Sequence, residues 1–317
     1  MLESAYNDTM DKTLIVLLGP TAVGKTKYSL LLAKKLKTEI VIADSRQVYK
    51  HLDIGTAKPT KEELKAVKHH LIDIVGPDEK FNLAIYQNMA FKAIKDIFKN
   101  SNYAIMVGGT GLYIDAVCKA YDLPEHEDTS VIKERLLKEL QSHGLSHLYE
   151  QLLEKDPKSA EKIHHNDRIR IVRALEVLEA SNKPISSFKT ISPHPLNCQI
   201  IKIGFTLDRE KLYDRINFRV NSMIKEGLLK ECNELLSLGL KKNITEKGII
   251  GYNEIFDYLD NKLTLVEATE LLKKNTRNYA KRQLTWFRRD KTINWIDLDK
   301  YKNDEEILKN MLVAAGL

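Results

Sequence analysis

The residues Gly19-Pro20-Thr21-Ala22-Val23-Gly24-Lys25-Thr26 match G-x-x-x-x-G-K-[ST] in full. Glycine spacing of this kind lets backbone N–H groups turn inward as an anion nest. Lys25 then sets a point charge on terminal phosphates, and the Thr26 hydroxyl is a ligand for Mg²⁺. The apolar run Leu14–Leu18 precedes the loop, and Tyr28, Leu31, Leu32 and Leu36 follow at helical spacing. That is the strand–loop–helix setting the motif requires, and the helix N-terminus adds partial positive charge. The ligand is therefore a di- or triphosphate. Taken alone, the loop suggests a nucleotide-binding protein, with ATP or GTP as the ligand, and leaves the reaction open.

Three further groups carry chemistry. Asp44 stands just past the apolar run Glu39–Ala43, at the end of a second buried strand. A carboxylate there can hold Mg²⁺ through water or act as general base on an acceptor, or it can simply cap a turn with Ser45. Gly108-Gly109-Thr110-Gly111 allows a close approach at a strand end, or a tight turn. Arg215 and Arg219 are four apart, so they share one helix face and can clamp a pyrophosphate or pair with Asp208, Asp214 or Glu226. Between Lys273 and Lys291 lie eight lysines and arginines against the single acid Asp290, a footprint suited to a polyanion or to a solvated helix face.

These groups need a scaffold. Short apolar runs recur at Leu14–Leu18, Glu39–Ala43, His70–Val75, Tyr103–Val107, Gln199–Phe205 and Thr292–Ile296, separated by helical patterns. They predict an α/β fold, a P-loop NTPase-like parallel sheet flanked by helices, with ligands at the carboxyl ends of the strands. From Pro124 to Pro195 no strand pattern is found; Asp156-Pro157 and Asn166-Asp167 read as helix starts. The predicted division is a core of residues 1–123 and 196–317 with a basic C-terminal helix, and an all-helical insertion of residues 124–195.

Composition sets outer bounds. Of 317 residues, 43% are hydrophobic and 30% charged, a balance ordinary for a soluble protein. No apolar run nears the ~18 residues of a membrane span, and Met1–Asp11 lacks a secretion pattern, so a cytoplasmic, membrane-free protein is expected. Cys118, Cys198 and Cys232 lack CxxC spacing, which argues against zinc and disulfides. No exposed heptad or apolar stripe calls for a dimer.

Beyond the phosphate loop, the segments Ala43–Pro59 (ADSRQVYKHLDIGTAKP), Val107–Tyr113 (VGGTGLY), Asn166–Val177 (NDRIRIVRALEV) and Thr276–Asp290 (TRNYAKRQLTWFRRD) occur in that order. Together they resemble the tRNA isopentenyltransferase family, the bacterial tRNA dimethylallyltransferases, over nearly the whole chain. The resemblance implies transfer of a dimethylallyl group from dimethylallyl diphosphate to N6 of the adenine 3′ of the anticodon, in tRNAs reading UNN codons. It implies that the loop Gly19–Thr26 grips the donor's diphosphate with Mg²⁺ on Thr26. Lys25, Thr26 and Arg219 would stabilise the leaving group, with Asp44 as general base. It assigns tRNA contacts to Asp44, Ser45, Arg46, Gln47 and Thr110, to Ile169, Arg170, Ile171, Val172 and Arg173, and to Gly248, Ile249, Ile250, Gly251, Tyr252 and Asn253. A monomer acting on the anticodon stem-loop is the family expectation. Two other readings use the same loop: an ATP-dependent small-molecule kinase, and an RNA-associated nucleotide switch. The first leaves the basic helix unexplained, and the second leaves Asp44 and the GTG turn without a task.

Overall fold

The computed structural model describes residues 12–123, 129–184, 187 and 190–317. The Met1–Asp11 stretch and the Pro124 linker read from sequence lie outside the described residues. Six strands form one parallel sheet: β1 (Thr13–Leu18), β2 (Ile40–Ala43), β3 (His69–His70), β4 (Tyr103–Gly108), β5 (Gln199–Thr206) and β6 (Ile293–Asp297). Their order is β3-β2-β4-β1-β5-β6, with every pairing parallel. All residues of β1 and β2 are buried, as expected of strands covered by helices on both faces. The chain leaves β1 toward one side of the sheet and returns to its other side at β5. That reversal opens a crevice at the carboxyl ends of β1 and its neighbours.

The segment after β3 departs from expectation. The apolar run His70–Val75 predicts a strand, but pairing stops at His70. Leu71 (φ 63°) and Asp73 (φ 54°) take left-handed backbone, which no strand can continue. The chain turns instead onto residues 47–50, where Ile74 N–H donates to Val48 O at 2.9 Å and Lys50 N–H to Val75 O at 2.9 Å.

Helix α1 (Lys25–Leu36) follows the phosphate loop, and α2 (Lys61–Ala66), α3 (Leu83–Phe98) and α4 (Gly111–Lys119) follow in the first half. One unit comprises residues up to Cys118 together with Leu196–Leu317, and a second comprises Lys119–Pro195. In the second, Ile191 N–H donates to Ala120 O at 2.7 Å, and Tyr121 bridges Thr190, so its entering and leaving segments are fastened together. Its helices are α5 (Ser130–Lys155, broken at Gly144), α6 (Pro157–Ala160) and α7 (Arg168–Ser181). They enclose a core of Leu136, Leu148, Leu152, Ile171, Val172 and Leu175. Asp156 and Asp167 cap α6 and α7 by accepting from Ser159 and Arg170 N–H groups.

The first unit continues with α8 (Arg209–Glu226), α9 (Leu228–Ser237), α10 (Lys241–Glu246), α11 (Tyr252–Leu259), α12 (Leu265–Phe287) and α13 (Asp304–Ala314). Among the described residues no helix is long and apolar enough to cross a membrane. One core of its apolar side chains lies between the sheet and α1 with α13, and another beneath the 48–54 segment, where α8 to α12 meet; Val16, Ile94 and Met106 are buried outside both.

The GGTG turn shows how tightly the strand ends pack. None of its glycines has positive φ. A Cβ on Gly108 would instead lie 2.0 Å from Ala43 O; on Gly109, 2.2 Å from Gln283 Nε2; on Gly111, 2.4 Å from Trp286 Cδ1. The motif is therefore about close approach. Gly108→Ala should lower stability by about 1–3 kcal/mol or more, because backbone cannot yield as a flexible side chain can. Urea unfolding measures this; a variant as stable as the parent would show that β2 and β4 can part without cost.

Candidate active site

The phosphate loop adopts an anion-receiving form. Gly19 (φ 146°) and Gly24 (φ 109°) take conformations that favour glycine, and Ala22 (φ 64°) is held in the left-handed region as well. Non-glycine residues there carry strain of about 1–3 kcal/mol, which persists only where surroundings enforce it. No side chain caps α1, whereas Thr60, Asn82, Asp208 and Thr264 each cap their own helices. The first N–H groups of α1 are thus left to an outside acceptor.

Lys25 Nζ donates back to the loop, to Gly19 O at 2.9 Å and Pro20 O at 2.8 Å. Burial, aided by the Arg219 guanidinium, pulls its pKa from 10.5 to about 7, against the raising pull of Asp44. Arg219 Nη1 reaches Thr21 Oγ1 at 3.4 Å and Arg215 Nη1 reaches Val23 O at 3.2 Å. Neither forms an ion pair among the described residues, so the pairing with Asp208, Asp214 or Glu226 weighed from sequence is not the arrangement found. Burial also lowers the Arg219 pKa. Lys25 and Arg219 are thus held against one loop, and neither is ion-paired among the described residues.

Asp44 lines the same pocket as Lys25, Thr26 and Arg219. Its Oδ1 accepts from Arg46 N–H at 2.8 Å and Gln47 N–H at 3.4 Å, so it does cap the turn that follows β2. One oxygen fixes the carboxylate, and Oδ2 is left for other work. Thr110 ties the GTG turn to this segment: its Oγ1 accepts from Ser45 N–H at 3.0 Å, and its own N–H donates to Ala43 O at 3.2 Å. Tyr279 of α12 lines the same pocket; burial, aided by the Asp44 charge, raises its pKa to about 12, so the phenol stays protonated.

Two buried side chains hold these loops together, and sequence reasoning passed over both. The Gln283 amide accepts from Thr21 N–H at 2.8 Å and donates to Gly109 O at 2.9 Å. It joins the phosphate loop to the GGTG turn from the middle of the basic helix. Glu231 of α9 accepts from Asp53, Ile54 and Gly55 N–H groups at 3.1, 2.7 and 3.1 Å and from the Tyr252 hydroxyl at 2.7 Å. The Tyr252 ring lies where a Gly55 Cβ would come within 2.6 Å, which accounts for glycine in IGTAKP. The Gln47 amide then donates to Thr56 O and Ala57 O at 3.1 Å each, closing one wall of the pocket. The only sequence signal for Gln283 was its place inside AKRQLTWF; Glu231 stands in no motif.

The residues assigned to RNA divide by exposure. Ile169 is 81% exposed on α7, whereas Ile171 is 0% and Val172 5% exposed in the core of the helical unit. Arg170 pairs with Asp167 at 3.3 Å and Arg173 with Glu176 at 2.8 Å. The Arg170–Asp167 pair lies toward solvent, is worth about 0–1 kcal/mol and exchanges readily for another anion, whereas the Glu176 carboxylate is buried and also accepts from the Thr129 hydroxyl. Ile249 and Tyr252 are also core side chains. The side chains of Ile171, Val172, Ile249 and Tyr252 are thus packed in cores and hold the surface in shape. Gly251 instead begins α11, its N–H donating to Glu254 Oε2 at 2.8 Å.

The IPP transferase family model matches residues 47–290. Over 302 residues the chain is 46% identical to the tRNA dimethylallyltransferase of Thermoanaerobacter sp. (strain X514), covering 94% of this chain and 96% of that one. It is 45% identical over 306 residues to that of Acetivibrio thermocellus, covering 95% and 96%. Among solved structures, the full-length tRNA isopentenylpyrophosphate transferase of Bacillus halodurans aligns with TM-score 0.70 at 40% identity, covering 96% of each chain. A eukaryotic dimethylallyltransferase acting on tRNA aligns with TM-score 0.72 at 27% identity, covering 96% of this chain and 80% of that one.

The lowered Lys25 pKa makes anion binding proton-linked. A bound diphosphate restores the ammonium, so above pH 7 binding takes up a proton and affinity weakens by up to about tenfold per pH unit. Calorimetry with inorganic diphosphate at pH 8, in buffers of different ionisation enthalpy, should show this uptake. Lys25→Met should lose it; an undiminished uptake there would place the proton elsewhere.

Proposed function

The chain belongs to the IPP transferase family, and on that premise we propose how its site transfers a dimethylallyl group to tRNA. The observation that carries the reading is the meeting of Asp44 with Lys25, Thr26 and Arg219 in one pocket at the strand ends. A fixed carboxylate beside a diphosphate cradle suits a reaction that removes a proton from one substrate while a diphosphate leaves the other.

The donor is dimethylallyl diphosphate, its diphosphate seated on the loop Gly19–Thr26. Lys25 turns from the Gly19 and Pro20 carbonyls to the phosphate oxygens, and Arg219 neutralises charge growing on them as the allylic C1–O bond breaks. Such preorganised contacts are worth about 3–4 kcal/mol apiece in a dry site. The acceptor is N6 of the adenine 3′-adjacent to the anticodon, in tRNAs reading UNN codons. Its lone pair is delocalised into the ring, so the amine needs its proton drawn off as the N–C1 bond forms. Asp44 Oδ2 takes that proton, Oδ1 being held by the Arg46 and Gln47 amides. The diphosphate departs with the electron pair of the broken bond. The base must leave its stack to reach the pocket, where Thr110 and the protonated Tyr279 offer hydroxyls beside it.

Magnesium fits this donor set. The Thr26 hydroxyl makes no hydrogen bond among the described residues, and Asp44 keeps a second oxygen, while no cluster of three His, Cys, Asp or Glu side chains is found among them. Mg²⁺ commonly takes one or two protein oxygens and completes its shell with phosphate and water. When bound, it would offset charge on the leaving diphosphate. On the helical unit, Arg170 and Arg173 meet anticodon stem-loop phosphates. The chain is taken to act as a monomer in the cytoplasm.

Purified protein incubated with Mg²⁺, unmodified tRNA and labelled dimethylallyl diphosphate should label the tRNA. A parallel incubation with labelled ATP and small metabolites should transfer nothing; phosphorylation without tRNA labelling would overturn the reading in favour of a kinase. Asp44→Asn should slow transfer by about 10²–10⁴-fold while donor affinity stays within a few-fold. Arg170→Ala should raise the tRNA KM and lower the slope of log affinity against log salt by about 1. An unchanged slope would count against a phosphate contact there.

A further inference from the structure

One side chain in the pocket has no role in that chemistry. His69, on edge strand β3, lines the pocket together with Thr26, Ser29 and Asp44. Its Nδ1 lies 2.8 Å from Val67 O, so Nδ1 carries the proton and Nε2 presents a lone pair. That Nε2 is buried and has no partner. Burial also lowers the His69 pKa, outweighing the Val67 carbonyl and the Glu63 charge, so the ring is a neutral acceptor at pH 7. His70, next along the strand, is spent on Glu39 at 2.5 Å and is not part of the pocket.

Buried polar atoms are nearly always satisfied, and an orphan on a pocket wall calls for a donor brought by the ligand. A fully ionised diphosphate has only acceptor oxygens, so it would repel the Nε2 lone pair. A prenyl chain has no donor either. Water on a divalent cation is a strong donor, and the pocket already holds the Thr26 hydroxyl suited to that cation. We propose that His69 is an outer-shell acceptor of the metal site, its Nε2 taking a hydrogen bond from a water bound to the divalent cation that joins Thr26 to the donor diphosphate. His69 is then a positioning residue. It orients the hydrated cation through water and touches no reacting atom, and this role rests on the Mg²⁺ reading above.

Mn²⁺ serves as the probe, with its affinity measured by electron paramagnetic resonance in the presence of saturating inorganic diphosphate. His69→Phe should weaken Mn²⁺ binding by about 10–100-fold, the usual effect of losing an outer-shell partner. His69→Gln, which restores an acceptor near Nε2, should recover affinity to within about threefold of the parent, and metal-free diphosphate binding should be unchanged in both. Thr26→Ala runs alongside. If it weakens Mn²⁺ and a folded His69→Phe does not, the His69 assignment falls while the metal site stands; if neither does, the metal reading itself falls. A measurement on the unaltered protein covers variants that fail to fold. The ¹⁵N resonance of His69 Nε2 should shift from its free lone-pair position when Mg²⁺ is added to the diphosphate complex, and a resonance that stays in place would overturn the assignment.

Discussion

A phosphate cradle works by leaving backbone donors without partners, and a loop kept in that state must be braced from outside. In this chain the brace is the Gln283 amide, which accepts from Thr21 N–H and donates to Gly109 O. One planar group with a donor and an acceptor at fixed spacing sets the distance between the phosphate loop and the GGTG turn. Because Gln283 is buried, breaking either bond would strand a polar group at a cost of about 1–3 kcal/mol. The position of Asp44 relative to the loop depends on this brace, since the Thr110 contacts to Ala43 and Ser45 run through the same turn.

A neighbouring wall of the pocket is braced in the same way. The Glu231 carboxylate receives three consecutive backbone N–H groups and a tyrosine hydroxyl, converting an irregular segment into a fixed wall. Carboxylates that accept several backbone donors act as rigid clamps because each oxygen has two lone pairs to satisfy. Tyr252 adds a steric stop at Gly55. The site is therefore assembled by buried side chains from helices late in the chain, which reach back to loops near its beginning. Preorganisation of this kind lets charge development during reaction meet dipoles already in place, without reorganisation at that moment.

Electrostatics follow from the same enclosure. Lys25 and Arg219 are brought together with Asp44 as the one acid lining their pocket and no ion pair to either, and burial lowers both pKa values. A pocket that holds unpaid positive charge selects a strongly anionic ligand, and it does so more sharply because water is excluded. Arg170 of α7 is under the opposite condition: it is solvent-exposed, and its pair with Asp167 is weak and exchangeable.

The sequence by itself determined most of the strands and their order along the chain: β1, β2 and β4 carry the unbroken apolar runs of covered parallel strands, and β5 and β6 carry runs interrupted by Lys202 and Asn294. It also determined the phosphate loop, whose donors and lysine are contiguous, and it pointed to Asp44 through its place just past β2. His70–Val75 misled because apolar content does not report φ, and two left-handed residues end that strand. Only the tertiary structure decided which side chains brace the site. The bonds of Gln283 span 262 and 174 residues, and that of Glu231 to Ile54 spans 177. A helical pattern shows which face a glutamine or glutamate occupies, but not which loop will be short of a partner there. For the same reason sequence alone could not tell exposed Ile169 from buried Ile171, or separate His69, with its unpartnered nitrogen, from His70, whose partner is Glu39. Those distinctions arise only when elements pack and each polar group either finds a donor or is left to await one.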